Sequence, residues 1–527
     1  MSGHTVPRAP VEDGAVVASP PLEQVPDLLA HNRRAQGAGP SLLGRRWSEL
    51  RDQACFSAVR AACAYLRENG EDHPAISPAR PLVVAGHQPE LFHPGVWVKS
   101  FALQGLARKH ELTPLNLIVD NDAVKVTSIR VPAPPSAEHP WPHLTTVPFD
   151  RGGAEAPYEE QTIHDAALFA DFAERVGVIL RGWPLEPLLP DFWTEVRRQA
   201  ERNPHLGNCF SVARRRLERR WGCHNLEVPL SALCRTPSFG WFACHLLAEL
   251  PRFHAQYNER VGAYRRLHGI KSRNHPVPDL ATDGDWLEAP LWAWRSGRPR
   301  RARLFARLRA DRIELRAGTD AWPSLPWSPS NPEATVNAWQ EMEPQGLKVR
   351  SRALTTTLYA RLFLGDLFIH GIGGGKYDEL TDELMAGFYH LTPPAFLILS
   401  ATKLLPLPSS PVGPGDCRRL ARLLRDVHYN PQRHLADGAD MAVLVRQKQE
   451  WIERQPATKL ERRQRFETIR RLSDQLRRPL QDRERDLRAG LERCKKQLEA
   501  NAVVQRRDYA FCLYPEAVLR PFCTQFL

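Results

Sequence analysis

The sequence predicts an α/β protein: a parallel sheet core, interrupted by a helical and β-rich insertion and followed by a helical arm. The first observation is the succession of PLVVAG, a helical pattern over 94–110 and PLNLIVDND, because strand, helix and strand in close succession are typical of a parallel sheet. The second is the return of this texture late in the chain, where a helix, a short strand, a glycine-rich loop and a helix precede the strand PPAFLILSATKLL. The third is an Arg-, Glu- and Leu-rich stretch over 441–507 with apolar residues three and four positions apart, the pattern of a coiled coil.

The length of 527 residues is too great for one ordinary core, so the chain is divided into parts. We predict a disordered N-terminal tail, the first half of a Rossmann-like core, an insertion that is first helical and then β-rich, the second half of the core, and a coiled-coil arm with a C-terminal tail. These parts span, in order, residues 1–40, 41–155, 156–350, 351–410 and 411–527. Pro456 and Pro479 interrupt the predicted coiled coil, because proline breaks helices.

Within these parts the pattern predicts individual elements. A helix over 41–70 is capped by Ser41 and ended by Gly70, and the strand PLVVAG follows it. After the second strand, VKVTSIRVPAP continues as an extended segment, and the pattern is mostly helical over 159–268. Over 286–316, alternating apolar residues and turn signals predict a small β-rich module.

The composition narrows the classes of function. The net charge of +12 favours anionic ligands such as nucleotides, carboxylated sugars or nucleic acid. The N-terminal segment lacks the basic start and apolar centre of a signal peptide, and no apolar run approaches the ~20 residues of a membrane span, so we expect a cytoplasmic protein without a membrane partner. The ten cysteines include no Cys-x-x-Cys pair, which predicts neither a disulfide framework nor a metal cluster.

Two histidines and a glutamine stand where the first strand meets its helix, in GHQPELFHPG. Gly86 permits a ligand to approach the backbone closely, and Gln88 can orient that ligand through hydrogen bonds. Neutral imidazoles of His87 and His93 can donate to phosphate oxygens or act in acid–base steps near neutral pH. The start of the next helix offers free N–H groups to an anion. The structural alternative is a proline-shaped loop in which both histidines are satisfied by hydrogen bonds.

Acidic residues end the next predicted strand, in the sequence Asp120-Asn121-Asp122. Carboxylates at the carboxyl end of a parallel strand face the ligand crevice, where they can bind an amine, Mg²⁺ or a sugar hydroxyl. Asparagine and aspartate are also the usual residues of turns, so a plain turn is the alternative.

A dense glycine run, GIGGGKYDE, follows the late apolar strand. Gly373, Gly374 and Gly375 are predicted to form an amide nest that binds anions, and Lys376 would add a point charge. The run is not a Walker A loop, because its glycine spacing differs and a tyrosine stands where serine or threonine holds magnesium. Asp378 is a substrate-binding candidate, with a helix cap as its structural alternative.

The order of these motifs resembles that of the BshC family, the cysteine-adding enzymes of bacillithiol biosynthesis. GHQPELF resembles its Gly-Gln-Gln segment, LIVDNDAVKV its acidic strand end, SRALTTTLYARLFLGDLFIHGIGGGKYDE its helix, strand and glycine-rich loop, and LILSATKLL its Ser-Ala-Thr strand. The resemblance implies a Rossmann-like core with connecting subdomains, a coiled coil that mediates dimers, and the joining of a cysteine carboxyl to the amine of glucosaminyl-malate. Because His87 stands where the family has glutamine and Lys376 where it has Pro-Gly-Glu, a divergent branch with another amine acceptor or amino acid stays open.

We therefore predict a carbon–nitrogen ligase or aminoacyl transferase that uses ATP with Mg²⁺ to activate a carboxylate. Its substrates are an amino acid and an amino sugar or other amine, it forms a homodimer through the arm, and nucleic acid is not its partner. The predicted catalytic residues are His87, His93 and Lys376; the substrate-binding residues are Gln88, Asp120, Asp122, Arg352 and Asp378; the anion-binding residues are Gly86, Gly373, Gly374 and Gly375. In this hypothesis the two strand-end aspartates hold an amine, and the arginine holds a carboxylate.

Two other functions compete with this hypothesis. The segment HPGV partly matches the His-x-Gly-His signature of class I nucleotidyltransferases, although Val96 takes the place of the last histidine, so nucleotidyl transfer without amide formation is one alternative. The other is a non-catalytic basic scaffold that binds RNA or protein, which the positive net charge would also suit.

Overall fold

The structure is a computed structural model, and it describes residues 7–35, 39, 41–73, 80–153, 155–272, 274, 277–436 and 439–527. These residues form a mixed α/β protein with many helices and a sheet that contains parallel strands. None of the described helices combines the length and the apolar character that crossing a bilayer requires.

The central element is a six-stranded sheet with the order β1-β16-β15-β4-β5-β8. Its strands are β1 (Val16–Ser19), β4 (Leu82–His87), β5 (Thr113–Ile118), β8 (Leu226–Pro229), β15 (Leu367–His370) and β16 (Phe396–Ala401). Every strand except β1 is parallel to its neighbours, and β1 pairs antiparallel with β16. The chain runs outward from β4 in two directions, first through β5 to β8 and later through β15 to β16, so the strand order reverses at β4.

The strands β4, β5, β15 and β16 confirm the predicted ones, whereas β1 and β8 were not predicted. β1 and helix α1 (Val25–Ala35) lie within residues 1–40, so the predicted disorder is wrong for that part of the segment; residues 1–6, 36–38 and 40 lie outside the described residues. β8 lies within the predicted insertion 156–350, so the insertion also completes the sheet. Both strands are short and carry little periodicity, and pairing with a neighbouring strand is what makes them regular.

Helices cover both faces of this sheet. One face packs against α2 (Trp47–Glu68), α12 (Ala353–Tyr359) and α13 (Ile372–Phe388), and the other against α1 and α3 (Pro94–Lys109). The predicted helix over 94–110 is confirmed, and so is the end of α2 next to Gly70. The predicted cap Ser41 is wrong, because Ser41–Leu42 (β2) pairs with Arg45–Arg46 (β3) in a small hairpin before the helix begins.

The first part of the insertion is helical, as predicted. Its helices are α4 (Ala166–Ala170), α5 (Phe172–Leu180), α6 (Leu189–Arg202), α7 (Leu206–Arg220), α8 (Leu230–Leu233), α9 (Pro237–Ala248) and α10 (Leu250–Leu267). The extended segment predicted after the second strand is β6 (Ser128–Ala133), which pairs with β7 (His143–Pro148) in a separate two-stranded sheet.

The β-rich part of the insertion is an antiparallel sheet with the order β13-β12-β11-β10-β14, and β9 pairs with β10. Its strands are β9 (Thr282–Asp283), β10 (Trp286–Arg295), β11 (Arg298–Leu308), β12 (Arg312–Ala317), β13 (Asp320–Pro326) and β14 (Leu347–Ser351), and helix α11 (Pro332–Gln340) separates the last two. The predicted turn at Ser296 and Gly297 joins β10 to β11, where Gly297 has a φ of 78° that glycine adopts without steric cost.

The C-terminal region contains α14 (Pro414–Tyr429), α15 (Ala439–Glu453), α16 (Lys459–Arg477), α17 (Gln481–Val504) and α18 (Glu516–Thr524). The breaks near Pro456 and Pro479 are confirmed, and the helices pack in pairs within the chain, α15 with α16 and α14 with α17. A disulfide between Cys417 and Cys494 joins α14 to α17, although the sequence predicts no disulfide framework. The residues that follow α17 are not a loose tail, because Tyr509, Phe511 and Leu513 are buried against α3 and the insertion helices.

Gly95→Ala is expected to lower the free energy of unfolding by about 1–3 kcal/mol, the usual cost of overpacking a filled interior. An alanine Cβ at Gly95 would lie 2.1 Å from the carbonyl oxygen of Ala401, a backbone atom of β16 that cannot withdraw without moving the strand. Gly177→Ala in α5 is the matched control, since nothing lies within 4 Å of its Cβ position. Helix propensity predicts a gain of about 0.5–1 kcal/mol there. Urea denaturation measures both, and a Gly95→Ala protein as stable as the parent would contradict the close contact.

Candidate functional site

The carboxyl edge of the six-stranded sheet brings the polar ends of β4 and β5 together. β4 ends at His87 and β5 at Ile118, and the strands are parallel, so Gln88 and residues 120–122 leave the sheet on the same side. Ligands of open α/β sheets bind in the crevice outside this edge. The predicted strand-end residues therefore lie where such a crevice forms.

Asp122 is held as an ionised carboxylate at this edge. Gln88 Nε2 donates a hydrogen bond to Asp122 Oδ2 (3.0 Å), and Arg301 Nη1, from β11, donates to Asp122 Oδ1 (2.9 Å). Burial raises the pKa of Asp122, but the hydrogen bond from Gln88 and the charge of Arg301 together outweigh burial, so the pKa lies below its usual value. At neutral pH the side chain carries a negative charge that can meet an ammonium group.

Arg352, at the N-cap of α12, presents unused donors in the same region. Its Nη1 donates to Glu288 Oε1 (2.6 Å), and its guanidinium carbon lies 4.2 Å from the centroid of the Trp292 ring. Its Nε and Nη2 are buried and have no hydrogen-bond partner among the described residues, and the same is true of Asn121 Oδ1. Because buried polar atoms are nearly always hydrogen-bonded, these atoms are available to a polar partner that enters the cavity.

These side chains line one cavity of about 330 Å³, which lies between the sheet edge, the antiparallel sheet and the start of α12. Tyr257 and Trp292 supply aromatic walls, and Lys125 adds a further cation. A cavity of this size with a few convergent polar groups suits a small molecule. Its charges are mixed, with one carboxylate facing two arginines and a lysine, so it suits a ligand that carries both signs of charge.

Asp120 does not share this cavity with Asp122. It lines a separate polar pocket of about 280 Å³ on the β8 side, together with Glu159 and Arg350. Ser231 donates to it through the backbone N–H (2.9 Å) and through Oγ. Burial, reinforced by the charge of Glu159, raises the pKa of Asp120 to about 7. The structure therefore separates the two aspartates that the sequence predicts to act together on one amine.

His87 and His93 lie beside the cavity rather than in it. His87 lines a small recess with Lys99 and Arg214, and its Nδ1 contacts the carbonyl oxygen of Gln88 (3.1 Å). Burial lowers the pKa of His87 to about 3 and that of His93 to about 4, with further lowering by Lys99 and Arg507 respectively. Both imidazoles are neutral at pH 7, as the predicted donor role requires.

The predicted glycine-rich loop is instead the first turn of α13, with Gly371 at the N-cap. Gly375 has no free amide for an anion, because its N–H donates to the carbonyl oxygen of Gly371 (3.0 Å), and its Cβ position lies 2.5 Å from Ile398. Gly373 faces open space. Lys376 is exposed on α13 and does not line the cavity.

Close packing within the sheet requires a glycine at position 86. An added Cβ would lie 3.1 Å from the Cβ of Leu117 on the neighbouring strand β5, so close strand packing accounts for this glycine. Its carbonyl oxygen accepts a hydrogen bond from Lys99 Nζ (3.3 Å). The structure therefore gives Gly86 one polar contact, through its backbone oxygen, with Lys99.

Asp378 is neither a helix cap nor a cavity residue. It lies inside α13, buried, and contacts Arg361 Nη1 (2.7 Å) and His370 Nε2 (2.6 Å). Burial raises the pKa of Asp378, but Arg361 and His370 lower it by more, so its pKa falls to about 2. This buried ion pair ties α13 to the π-helical turn Ala360–Leu364 and to the end of β15.

Sequence reasoning missed Asn121 and Arg301 of the cavity and Lys99 of the adjoining recess. Lys99 lies on α3, whose sequence pattern is largely apolar. The only signal in the sequence was a charged residue on an otherwise buried face of this helix. Arg301 comes from a strand far along the chain and reaches Asp122 only because the antiparallel sheet packs over the edge of the parallel one.

No family model matches the chain, and no curated protein matches it. No group of three or more His, Cys, Asp or Glu side chains within the described part of the chain is arranged to hold a metal ion.

Proposed function

We propose that this protein is an amide-forming ligase or aminoacyl transferase, in which the six-stranded sheet acts as a Rossmann-like core and the 330 Å³ cavity holds an amino acid. The observation that carries the proposal is the pairing, in one cavity, of an ionised carboxylate at Asp122 with the two unpaired donors of Arg352. A zwitterion satisfies both ends at once, since its ammonium faces the carboxylate and its carboxylate faces the guanidinium.

Each side chain then has a role in holding the amino acid. Asp122 and Asn121 Oδ1 accept hydrogen bonds from the ammonium group, and Gln88 keeps the Asp122 carboxylate in place. Arg352 donates to the substrate carboxylate through Nε and Nη2, while its pair with Glu288 fixes the guanidinium. The face of Trp292 stacks on that guanidinium and limits its rotation.

Joining this carboxyl to an amine requires activation, which ATP with Mg²⁺ supplies when bound. The amine nitrogen would attack the activated carbonyl carbon to form the C–N bond, the C–O bond to the phosphate would break with its electron pair on the phosphate oxygen, and the nitrogen would release one proton to water. Lys125, which lines the cavity, favours the anionic leaving group. Asp120, with a pKa of about 7, lies on the same edge as the cavity.

Homodimer formation through the arm of α14 to α17 belongs to the same proposal. Leu460 and Phe466 of α16 support it, because both are large apolar side chains that are about two-thirds exposed, at 67% and 65%.

Incubation of the protein with ATP, cysteine and amino-sugar acceptors, including glucosaminyl-malate, is expected to yield a product whose mass equals acid plus amine minus water. Mass spectrometry detects this product directly. Cysteine and ATP are each expected to raise the melting temperature, since ligands that bind only the folded state stabilise it. Asp122→Asn is the negative control, because cysteine is not expected to raise the melting temperature of a protein that lacks this carboxylate. Absence of any product, together with an RNA affinity that falls steeply with salt, would instead support the basic scaffold.

A further inference from the structure

Lys99 carries a buried positive charge that nothing in the fold explains. It lies on α3 with only 6% of its surface exposed, and its Nζ donates one long hydrogen bond, 3.3 Å, to the carbonyl oxygen of Gly86. No carboxylate of the described residues forms an ion pair with it, although buried charges in proteins are normally paired. Burial lowers its pKa to about 8, so it is still mostly protonated at pH 7.

The other titratable groups around Lys99 do not neutralise it. His87 and His93 are neutral at pH 7, since their pKa values are about 3 and about 4. Arg214, across the recess, is itself cationic, and the buried carboxylates beside it, Glu218 and Glu227, are committed to it. The recess therefore keeps an uncompensated ammonium group.

The ammonium group of Lys99 lies at the start of α13. A Cβ placed on Gly371, the N-cap of that helix, would be 3.8 Å from Lys99 Nζ. No side chain caps this 17-residue helix, so the amides of its first turn have no side-chain acceptor among the described residues. Free amides and the helix dipole favour an anion at such an end.

This junction lies between β4 and β15, where the strand order of the sheet reverses. Crevices at such reversals are the usual ligand sites of open α/β sheets. Gly373 borders open space, so a ligand can reach the helix end from solvent. Gln88, two residues beyond Gly86, lines the amino-acid cavity, so the two sites are neighbours.

We propose that Lys99 and the first turn of α13 form a binding site for a phosphate group. The ammonium group and the free amides of Ile372, Gly373 and Gly374 would surround the phosphate oxygens, and the phosphate would supply the negative charge that Lys99 lacks. This assignment rests on the proposed function in one respect, since the neighbouring cavity is an amino-acid site only if that function is correct. It moves the cationic role from the exposed Lys376 to the buried Lys99.

Isothermal titration calorimetry at pH 7 tests the site with ATP and with glucosamine 6-phosphate, with adenosine and glucosamine as phosphate-free controls. Lys99→Met is expected to lower the affinity for whichever phosphate compound the parent binds by about tenfold or more. This is the usual effect of losing a hydrogen bond to a charged group. The fold should survive, because methionine fills the same space without a buried charge. Lys109→Met, on the exposed last turn of the same helix, is expected to bind as the parent does.

A second variant acts from the opposite side of the site. Gly373→Asp places a carboxylate in the first turn of α13. There the carboxylate interacts favourably with the helix dipole but repels a phosphate. We expect an unchanged or higher melting temperature together with a loss of phosphate affinity of about tenfold or more. Gly373→Ala has space for its Cβ and should keep the affinity.

The outcomes separate this site from the proposed function. Tighter binding of ATP identifies a nucleotide as the source of the phosphate, and tighter binding of glucosamine 6-phosphate identifies a phosphorylated acceptor. Equal phosphate affinity in the parent, Lys99→Met and Gly373→Asp proteins would overturn the site, even if amide product forms. A loss of affinity in both variants supports the site, even if the parent forms no amide.

Discussion

Glu227→Leu is expected to lower the free energy of unfolding by about 3–5 kcal/mol, the usual cost of removing one partner from a buried ion pair. Glu227 lies on β8, is fully buried, and contacts two arginines of α7: Arg214 Nη2 and, at 2.8 Å, Arg215 Nη1. It also accepts a hydrogen bond from Asn116 Nδ2 on β5 (2.6 Å). Leucine would leave these donors buried without an acceptor.

The cost is large because the whole network is shielded from water. Arg214 also pairs with Glu218, and Glu71 pairs with both Arg215 and Arg219, so three arginines balance three carboxylates in the cluster. Removing one carboxylate leaves an excess positive charge that neither solvent nor a mobile counter-ion can reach. Urea denaturation, followed by circular dichroism, measures the change.

Glu467→Leu is the matched control for Glu227→Leu. Glu467 pairs with Arg463 on the exposed face of α16, and 59% of its side chain is exposed. Exposed pairs contribute about 0–1 kcal/mol, so little change is expected there. Equal effects of the two substitutions would mean that burial of the network does not set its contribution.

Arg352→Lys is expected to weaken cysteine binding by roughly 10- to 100-fold, because hydrogen bonds to charged groups contribute about 1.5–3 kcal/mol. Lysine keeps the positive charge beside Glu288 but loses the planar fork that presents Nε and Nη2 to the cavity. The fold should be nearly unaffected, since the buried Glu288 still faces a cation. Isothermal titration calorimetry with cysteine measures the affinity, and kcat/KM should fall in parallel.

Arg303→Lys controls for the charge around Glu288. Arg303 pairs with the same carboxylate at 3.2 Å, but half of its side chain is exposed and it does not line the cavity. We expect its cysteine affinity to match that of the parent. Equal losses in the two variants, or none in Arg352→Lys, would remove the carboxylate-binding role from Arg352.

Several parts of the fold follow from local pattern. The strand that ends at His87, the helix that starts at Pro94 and the strand Phe396–Ala401 each combine a run of apolar residues with a proline or glycine boundary, so each was predicted close to its observed bounds. β8 lacks such a run, and the short apolar run of β1, between Gly14 and Pro20, lies in the segment that the composition predicts to be disordered. Both strands are regular only because β16 and β5 offer them backbone hydrogen bonds.

The candidate site divides in the same way. Gln88, Asp122 and Arg352 line one cavity, as their positions at element ends suggest, whereas Asp120 faces another pocket and Asp378 lies inside α13. The glycine run was predicted to be a loop that forms an anion-binding amide nest, yet it opens α13, and the glycine at 375 lets the helix pack closely on Ile398.

The sequence by itself determined the α/β class, most strands of the parallel sheet and the polar residues at their carboxyl ends, because these depend on hydrophobic runs and turn residues that are local in the chain. Only the tertiary structure decided which polar residues share a cavity, that Arg301 reaches Asp122 from a distant strand, and that Lys99 is buried beside the start of α13. The physical reason is that contacts between remote segments depend on how the elements pack, and a one-dimensional pattern records which face of an element is apolar but not what lies against it.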